Sequence, residues 1–104
     1  MNESDVFRAL ADPNRRAVLE RLLDGEKNAT ELRAGLGISQ PAVSQHVAVL
    51  REAGLIAQKK QGRHVRYSLA PEGLGPVLDW LTRYRAFWPQ RVERLEALVK
   101  EMDQ

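Results

Sequence analysis

The sequence predicts a mainly α-helical protein with one small β-hairpin (α+β), in the order α-α-α-α-β-β-α(-α). Apolar residues recur at helical spacing in residues 5–53 and again in residues 72–103. Between these parts, in residues 64–69, apolar and polar side chains alternate with the period of a strand. The chain of 104 residues has the length of one domain, 1–104.

The first two predicted helices meet at an aspartate–proline pair. Residues 5–11 are a short helix candidate. Asp12 and Pro13 fit the N-cap and the first position of a second helix, because the fixed φ of proline suits that position. This helix is predicted to stop at Gly25. The residues expected to face inward are Ala17, Val18 and Leu22, with Leu23 as a further candidate.

The third and fourth predicted helices are separated by a tight turn. Asn28 can cap the third helix, and Glu31 completes a pair typical of a capping box. We expect this helix to end at Gly37, since glycine favours the left-handed conformation found after helices. Ser39 then caps a fourth helix that runs to about Ala53. Its inward stripe is predicted to be Val43, Val47 and Leu50.

A hairpin and a long terminal helix complete the prediction. Residues 56–60 face the alternating strand across a turn at 61–63. The terminal helix, about 72–103, is expected to kink or break near Trp88 because Pro89 interrupts it. Its apolar stripe exceeds what one small domain can cover, so we expect it to pair with a second copy. The stripe comprises Leu74, Leu78, Leu81, Trp88, Val92, Leu95, Val99 and Met102.

Composition excludes several classes of protein. The chain has no cysteine, which excludes disulfides, thiolate metal sites and cysteine nucleophiles. No apolar run is long enough to span a membrane, and the acidic N-terminus does not resemble a secretory signal, so we expect a cytoplasmic protein without a membrane partner. No serine has a base-plus-acid arrangement beside it and no glycine-rich phosphate loop occurs. We therefore expect neither enzymatic activity nor a cofactor.

Positive charge is concentrated in the middle third of the chain. Residues 32–71 contain six basic side chains against one acidic side chain, whereas residues 1–31 contain five basic and seven acidic ones. A local excess of this kind is typical of nucleic-acid binding. It also occurs on an ordinary solvated face, so charge alone does not assign the function.

A helix, a tight turn, a second helix and a basic hairpin form a winged helix-turn-helix, in which the second helix enters the major groove of DNA. Gln40 and Gln45 can each donate and accept hydrogen bonds, which suits adenine edges, and Ser44 suits a purine or a phosphate. The basic hairpin would follow the DNA backbone through Lys59, Lys60, Arg63 and Arg66, and Arg63 at its tip is able to enter the minor groove. The residues predicted to contact double-stranded DNA are Ser39, Gln40, Pro41, Ser44, Gln45, His46, Lys59, Arg63, His64 and Arg66.

The rival class is a protein-interaction module, because winged helices can also bind proteins. Such a module would expose apolar or acidic side chains on the second helix, so the glutamines and serine favour DNA. His46 suits either a contact from that helix or a supporting hydrogen bond, and His64 either a phosphate contact or plain exposure. For Arg15 and Arg16, DNA contacts, ion pairs and exposure are all open, and a structural role is favoured for one of them.

Three segments in order resemble the ArsR/SmtB family of bacterial transcriptional regulators: LADPNRRAVL at 10–19, SQPAVSQHVAVLREAGL at 39–55 and GRHVRYSL at 62–69. The resemblance covers roughly residues 5–100. It implies a homodimeric winged-helix repressor whose first and last helices form the dimer interface. Two-fold symmetry then predicts an operator that is an inverted repeat. The predicted interface residues are Phe7, Leu74, Leu78, Leu81, Tyr84, Trp88, Val92, Leu95 and Val99.

The sequence departs from the metal-sensing members of that family. Their ligands lie in the helix before the recognition helix or along the terminal helix, but residues 28–38 contain no cysteine or histidine and residues 72–104 contain no histidine. We therefore expect no regulatory metal. The segment 80–96 is similar to a non-metal branch, which leaves an unidentified small-molecule or protein effector. The aromatic cluster at 80–88 could line an effector pocket, although its helical spacing favours core and dimer interface.

Overall fold

Helices precede and follow a single two-stranded antiparallel hairpin, as the sequence predicts. The computed structural model describes residues 3–85, 87 and 89–102. Short 3-10 helices lie at Leu22–Asp24 and Pro71–Leu74. The longer elements are α1 (Glu3–Leu10), α2 (Pro13–Arg21), α3 (Ala29–Arg33), α4 (Gln40–Glu52), β1 (Ile56–Gln61), β2 (His64–Leu69), α5 (Gly75–Arg85) and α6 (Pro89–Met102).

The core lies between α1, α2, α3, α4 and the base of the hairpin, and its buried side chains are all apolar. The predicted stripe of α4 is confirmed, since Val43, Val47 and Leu50 are buried. Leu22 is buried as predicted, but the suggestion that Leu23 also faces inward is wrong, because it is 74% exposed. The reason is that α2 ends at Arg21 and the tighter 3-10 turn rotates Leu23 towards solvent.

The junction between α1 and α2 confirms the predicted cap. The Asp12 carboxylate accepts hydrogen bonds from the backbone N–H groups of Asn14, at 2.7 Å, and Arg15, at 3.2 Å. The Arg15 guanidinium donates to the carbonyl oxygens of Ala9 and Arg8, which are among the last of α1. Arg16 donates to the neighbouring carbonyl of Leu10. A structural role was expected for one of these arginines, whereas both of them bind carbonyl groups at the C-terminal end of α1.

The hairpin pairs Ile56 with Leu69 at its base and Gln61 with His64 at its tip. β1 is thus one residue longer than predicted, and the turn contains two residues. Gly62 occupies the first turn position at φ +62°, and this left-handed value suits the mirror-image turns that follow the twist of the strands. Lys27 adds an antiparallel bridge to β2 through Tyr67, a contact that the sequence pattern did not predict.

The predicted C-terminal helix is divided into two helices, as expected from Pro89: α5 ends at Arg85 and α6 begins at Pro89. Trp88 lies outside the described residues. The helix also begins later than expected, because residues 71–74 form a 3-10 turn that brings Gly73 against the backbone of Gly54. Within the described residues, no helix has both the length and the apolar character needed to cross a membrane.

Candidate nucleic-acid interface

A short helix and a turn with two left-handed glycines place α4 on the surface. The capping box of α3 is confirmed: Glu31 N donates to Asn28 Oδ1 at 2.8 Å, and Asn28 N donates to Glu31 Oε1 at 3.0 Å. The prediction that α3 continues to Gly37 is wrong, because Ala34 leaves the helical region at ψ 122°. Gly35 at φ +77° and Gly37 at φ +69° then reverse the chain within a few residues.

Two arginines fix this turn. The Arg21 guanidinium donates to the carbonyl oxygens of Glu31 and Leu32, each at 3.3 Å, and to that of Ala34. These carbonyls are at the C-terminal end of α3, where helical partners are lacking. Arg33 Nε donates to the carbonyl of Ile38 at 2.9 Å, just before α4. The sequence did not reveal either contact, because a basic side chain on a helix does not indicate which carbonyl it reaches.

The N-terminal half of α4 presents short polar side chains to solvent. Ser39 caps the helix, with its Oγ accepting from Ala42 N at 3.3 Å. Pro41, Ser44 and Gln45 are exposed, whereas Gln40 is partly buried. The exposed face is the one expected to meet a DNA groove, because the opposite face is occupied by the core.

His46 is partly buried on α4 and lies near the N-terminal end of α2. Desolvation raises the pKa of the Asp12 carboxyl, but the N–H groups of Arg15 and Asn14 and the charges of His46 and Arg15 outweigh it. The pKa of Asp12 is therefore lowered from its ordinary value. His46 therefore lies at the edge of the exposed face of α4, within electrostatic reach of the Asp12 carboxyl.

The hairpin tip is basic and exposed. The side chains of Lys59, Lys60, Arg63 and His64 are all exposed. Arg63 occupies the second position of the turn, at the end of the hairpin. The tip therefore presents cations to an approaching polyanion.

Arg66 differs from the other basic residues of the hairpin. Its Nε lies 3.6 Å from Glu26 Oε2, and its Nη1 lies 3.9 Å from Glu31 Oε1. Both carboxylates come from the segment around the start of α3. The structure thus directs Arg66 towards protein carboxylates.

No group of three or more histidine, aspartate or glutamate side chains in the described part of the chain is arranged to hold a metal ion. His46 lies on α4 and His64 at the hairpin tip, and the cysteine count is zero. Three or four such ligands are needed for a zinc site.

Comparisons with known proteins agree with this geometry. The sequence profile described as "Bacterial regulatory protein, arsR family" matches residues 12–58. The chain is 31% identical to the transcriptional repressor SdpR of Bacillus subtilis, over 78% of this chain and 90% of the relative. It is 39% identical to the HTH-type transcriptional regulator Rv2034 of Mycobacterium tuberculosis, over 90% of this chain and 85% of the relative.

The chain is also similar to a repressor of arsenical resistance and to a protein of known structure. The arsenical resistance operon repressor of Escherichia coli is 33% identical, over 93% of this chain and 81% of the relative. The crystal structure of an ArsR family transcriptional regulator superimposes with a TM-score of 0.75 at 33% identity, covering 86% of this chain and 98% of that one. The fold, the helix-turn-helix and these likenesses together show that the chain belongs to the arsR family of bacterial regulatory proteins and is a DNA-binding transcriptional regulator, not an enzyme.

Proposed function

We propose that this regulator is a homodimeric repressor that reads an inverted-repeat operator through the N-terminal half of α4. The observation that carries the proposal is the division of α4 into two faces. Val43 and Val47 are buried, while Ser44 and Gln45 between them are exposed. A glutamine amide can donate and accept at once, which suits the N6 and N7 groups of adenine in the major groove.

The proposed contacts differ in kind along the interface. Gln40, Pro41, Ser44 and Gln45 are assigned to the major groove, and the Ser39 hydroxyl mainly to the helix cap, because it already accepts from Ala42 N. The exposed cations of the hairpin, together with His64, are assigned to the DNA backbone. His46 is assigned to a supporting role, since it is partly buried near an aspartate.

A second copy is proposed to cover an apolar face formed by α1, the end of the 3-10 helix Pro71–Leu74 and α5, here called the α1–α5 face (Phe7, Leu74, Leu78, Leu81 and Tyr84). All five side chains are exposed, with Leu78 at 60% and Leu81 at 51%. Phe7 and Trp80 hold the two helices together through an edge-on ring contact at 5.2 Å. So many adjacent large apolar side chains are unusual on a monomer surface.

We expect the apolar surface of the α1–α5 face to continue onto α6. Val99 is 56% exposed there, and so are the neighbouring Leu98 and Met102. Trp88 lies outside the described residues, and the side chains of Val92 and Leu95 are likewise not described, so their part in the interface stays a prediction. We assign α6 to the dimer because an exposed apolar stripe on a terminal helix needs a partner.

The inducer is proposed to be something other than a metal ion, acting in the cytoplasm. The reason is that the chain has few side chains that could ligate a transition metal. It has no cysteine, and its two histidines, His46 and His64, lie on different elements. The metalloid named for the Escherichia coli relative is thus not carried over to this chain. Zinc, nickel, copper and arsenite at micromolar concentration should leave operator affinity unchanged, and stoichiometric binding that releases DNA would contradict the assignment.

The experiment that tests the proposal is selection of bound sequences from random duplexes with the purified protein. We expect an enriched inverted repeat whose half-sites are about one DNA turn, roughly 34 Å, apart. A pool with no enriched sequence would contradict base reading by α4. An enriched single half-site would retain base reading but contradict the symmetric dimer.

A further inference from the structure

The hairpin is tied to the start of α3 at more than one point. Tyr67 N donates to the carbonyl of Lys27 at 2.8 Å, and Lys27 N donates to the carbonyl of Tyr67 at 3.0 Å. Next to this bridge, Arg66 lies between the carboxylates of Glu26 and Glu31. We call Arg66, Glu26 and Glu31 together the Arg66 cluster. The hairpin thus touches the helix-turn-helix through backbone bonds and through charged side chains.

The Arg66 cluster is built on a fixed frame. Glu31 is held in place by the capping box, in which its carboxylate accepts from Asn28 N at 3.0 Å. Glu26 precedes the residue that bridges to β2. Both anions are therefore attached to the segment that starts α3, and α3 is joined to α4 through the turn that Arg33 stabilises.

The register of the hairpin explains why Arg66 turns towards these anions. Lys59 and Arg66 are directly opposite each other across the two strands. Two cations in that position repel, because directly opposite side chains lie on the same face about 4.5–5.5 Å apart. The Glu26 and Glu31 carboxylates pair with the Arg66 guanidinium and offset this repulsion. Lys59 is left exposed for an external partner.

We propose that Arg66 is a positioning residue: through Glu26 and Glu31 it sets the orientation of the hairpin relative to α4. This inference rests on the proposed function, in which the hairpin and α4 meet DNA together. A hairpin held at the correct angle loses less freedom on binding, and this preorganisation increases affinity without a direct contact. The three side chains are 38%, 45% and 47% exposed, so solvent screens the ion pairs and their effect on unfolding is small.

The decisive variant removes negative charge from the protein. The double variant Glu26→Gln, Glu31→Gln keeps the size of both side chains, and glutamine at position 31 retains the capping bond. Charge alone predicts tighter DNA binding for this variant, because two anions are lost. If the Arg66 cluster orients the hairpin, the double variant should instead bind the selected duplex about three- to tenfold more weakly. Binding to a scrambled duplex of equal length should not weaken.

Arg66→Gln provides the matched measurement. It should weaken binding to the selected duplex by the same factor and leave the salt slope unchanged, and adding it to the double variant should cause no further loss. Arg63→Gln, at the hairpin tip, should instead lower the slope by about one unit. Tighter binding by the double variant, or a slope lowered by about one unit in Arg66→Gln, would overturn the proposal and make Arg66 a phosphate contact.

A measurement without DNA separates this inference from the proposed function. Amide hydrogen exchange at Tyr67 reports opening of the bridge to Lys27. It should become faster in Arg66→Gln and in the double variant, while the exchange of core amides on α4 is unchanged. Unchanged exchange at Tyr67 would overturn the positioning role. A random pool that yields no selected duplex would overturn the proposed function, and this exchange result would still decide the role of Arg66.

Discussion

Gly73 lies so close to the carbonyl group of Gly54 that a Cβ at position 73 would come within 2.0 Å of the Gly54 oxygen. Gly54 follows α4 with a left-handed φ of +81°, and its N–H donates to the carbonyl of Arg51 at 3.0 Å, which ties it to the end of the helix. This contact joins the end of the proposed recognition helix to the turn that leads into α5. The end of α4 and the start of α5 therefore meet through backbone atoms here, in addition to the packing of Val77 against the core.

The first prediction follows from this contact. Gly73→Ala should destabilise the fold by about 1–3 kcal/mol, the usual range for adding a methyl group to a packed site. Gly75→Ala is the control, since nothing lies within 4 Å of a Cβ there and its φ of −50° is helical. Gly75→Ala should be neutral or stabilising by about 0.4–1 kcal/mol. Chemical denaturation measures both, and equal stability of the two variants would contradict the close approach.

The second prediction concerns the pH dependence of the α2 cap. The lowered pKa of Asp12 means that the folded state favours the ionised carboxylate. Its contribution to stability is therefore present above the pKa of the unfolded chain, about 3.9, and is lost as pH falls through the folded-state pKa. Asp12→Ala should lower the melting temperature at pH 7 and lower it less at acid pH. Asn at position 12 also caps, so Asp12→Asn should keep most of the stability at pH 7 and remove the acid dependence. A pH-independent loss in Asp12→Ala would exclude the charged cap.

The third prediction concerns the tip of the hairpin. Arg63→Ala should weaken binding to selected and scrambled duplexes by similar factors, because a backbone contact carries no sequence information. The slope of log affinity against log salt should fall by about one unit. Titrations at several salt concentrations measure this. A slope equal to that of the unaltered protein would show that Arg63 does not contact a phosphate.

The fourth prediction concerns the α1–α5 face. Leu78→Asp with Leu81→Asp should weaken the dimer by more than about tenfold, which corresponds to about 1.4 kcal/mol, because an unpaired carboxylate is costly to bury. Ala57→Asp is the control: Ala57 is exposed but lies on β1 of the hairpin, outside this face. Sedimentation equilibrium measures the association. A monomeric unaltered protein at tens of micromolar would refute the dimer, and a dimer unaffected by the double variant would exclude this face.

The sequence predicted local features better than distant contacts. The caps at Asp12, Asn28 and Ser39 were predictable because each depends on residues within one helical turn. The strand period similarly identified the hairpin. The direction of the Arg66 side chain was not predictable, because its partners are far away in the sequence and any basic residue on a basic hairpin suggests a DNA contact. The early end of α3 was missed because a glycine marks a helix end only approximately.

The measurement that tests the central claim most directly compares Gln45→Ala with the unaltered protein on two duplexes of equal length. One duplex carries the selected sequence and the other is scrambled. If Gln45 reads a base, the variant should lose about 1–3 kcal/mol on the selected duplex and almost nothing on the scrambled one, so that specificity falls. Equal losses on both duplexes, with thermal unfolding unchanged, would contradict base reading by α4.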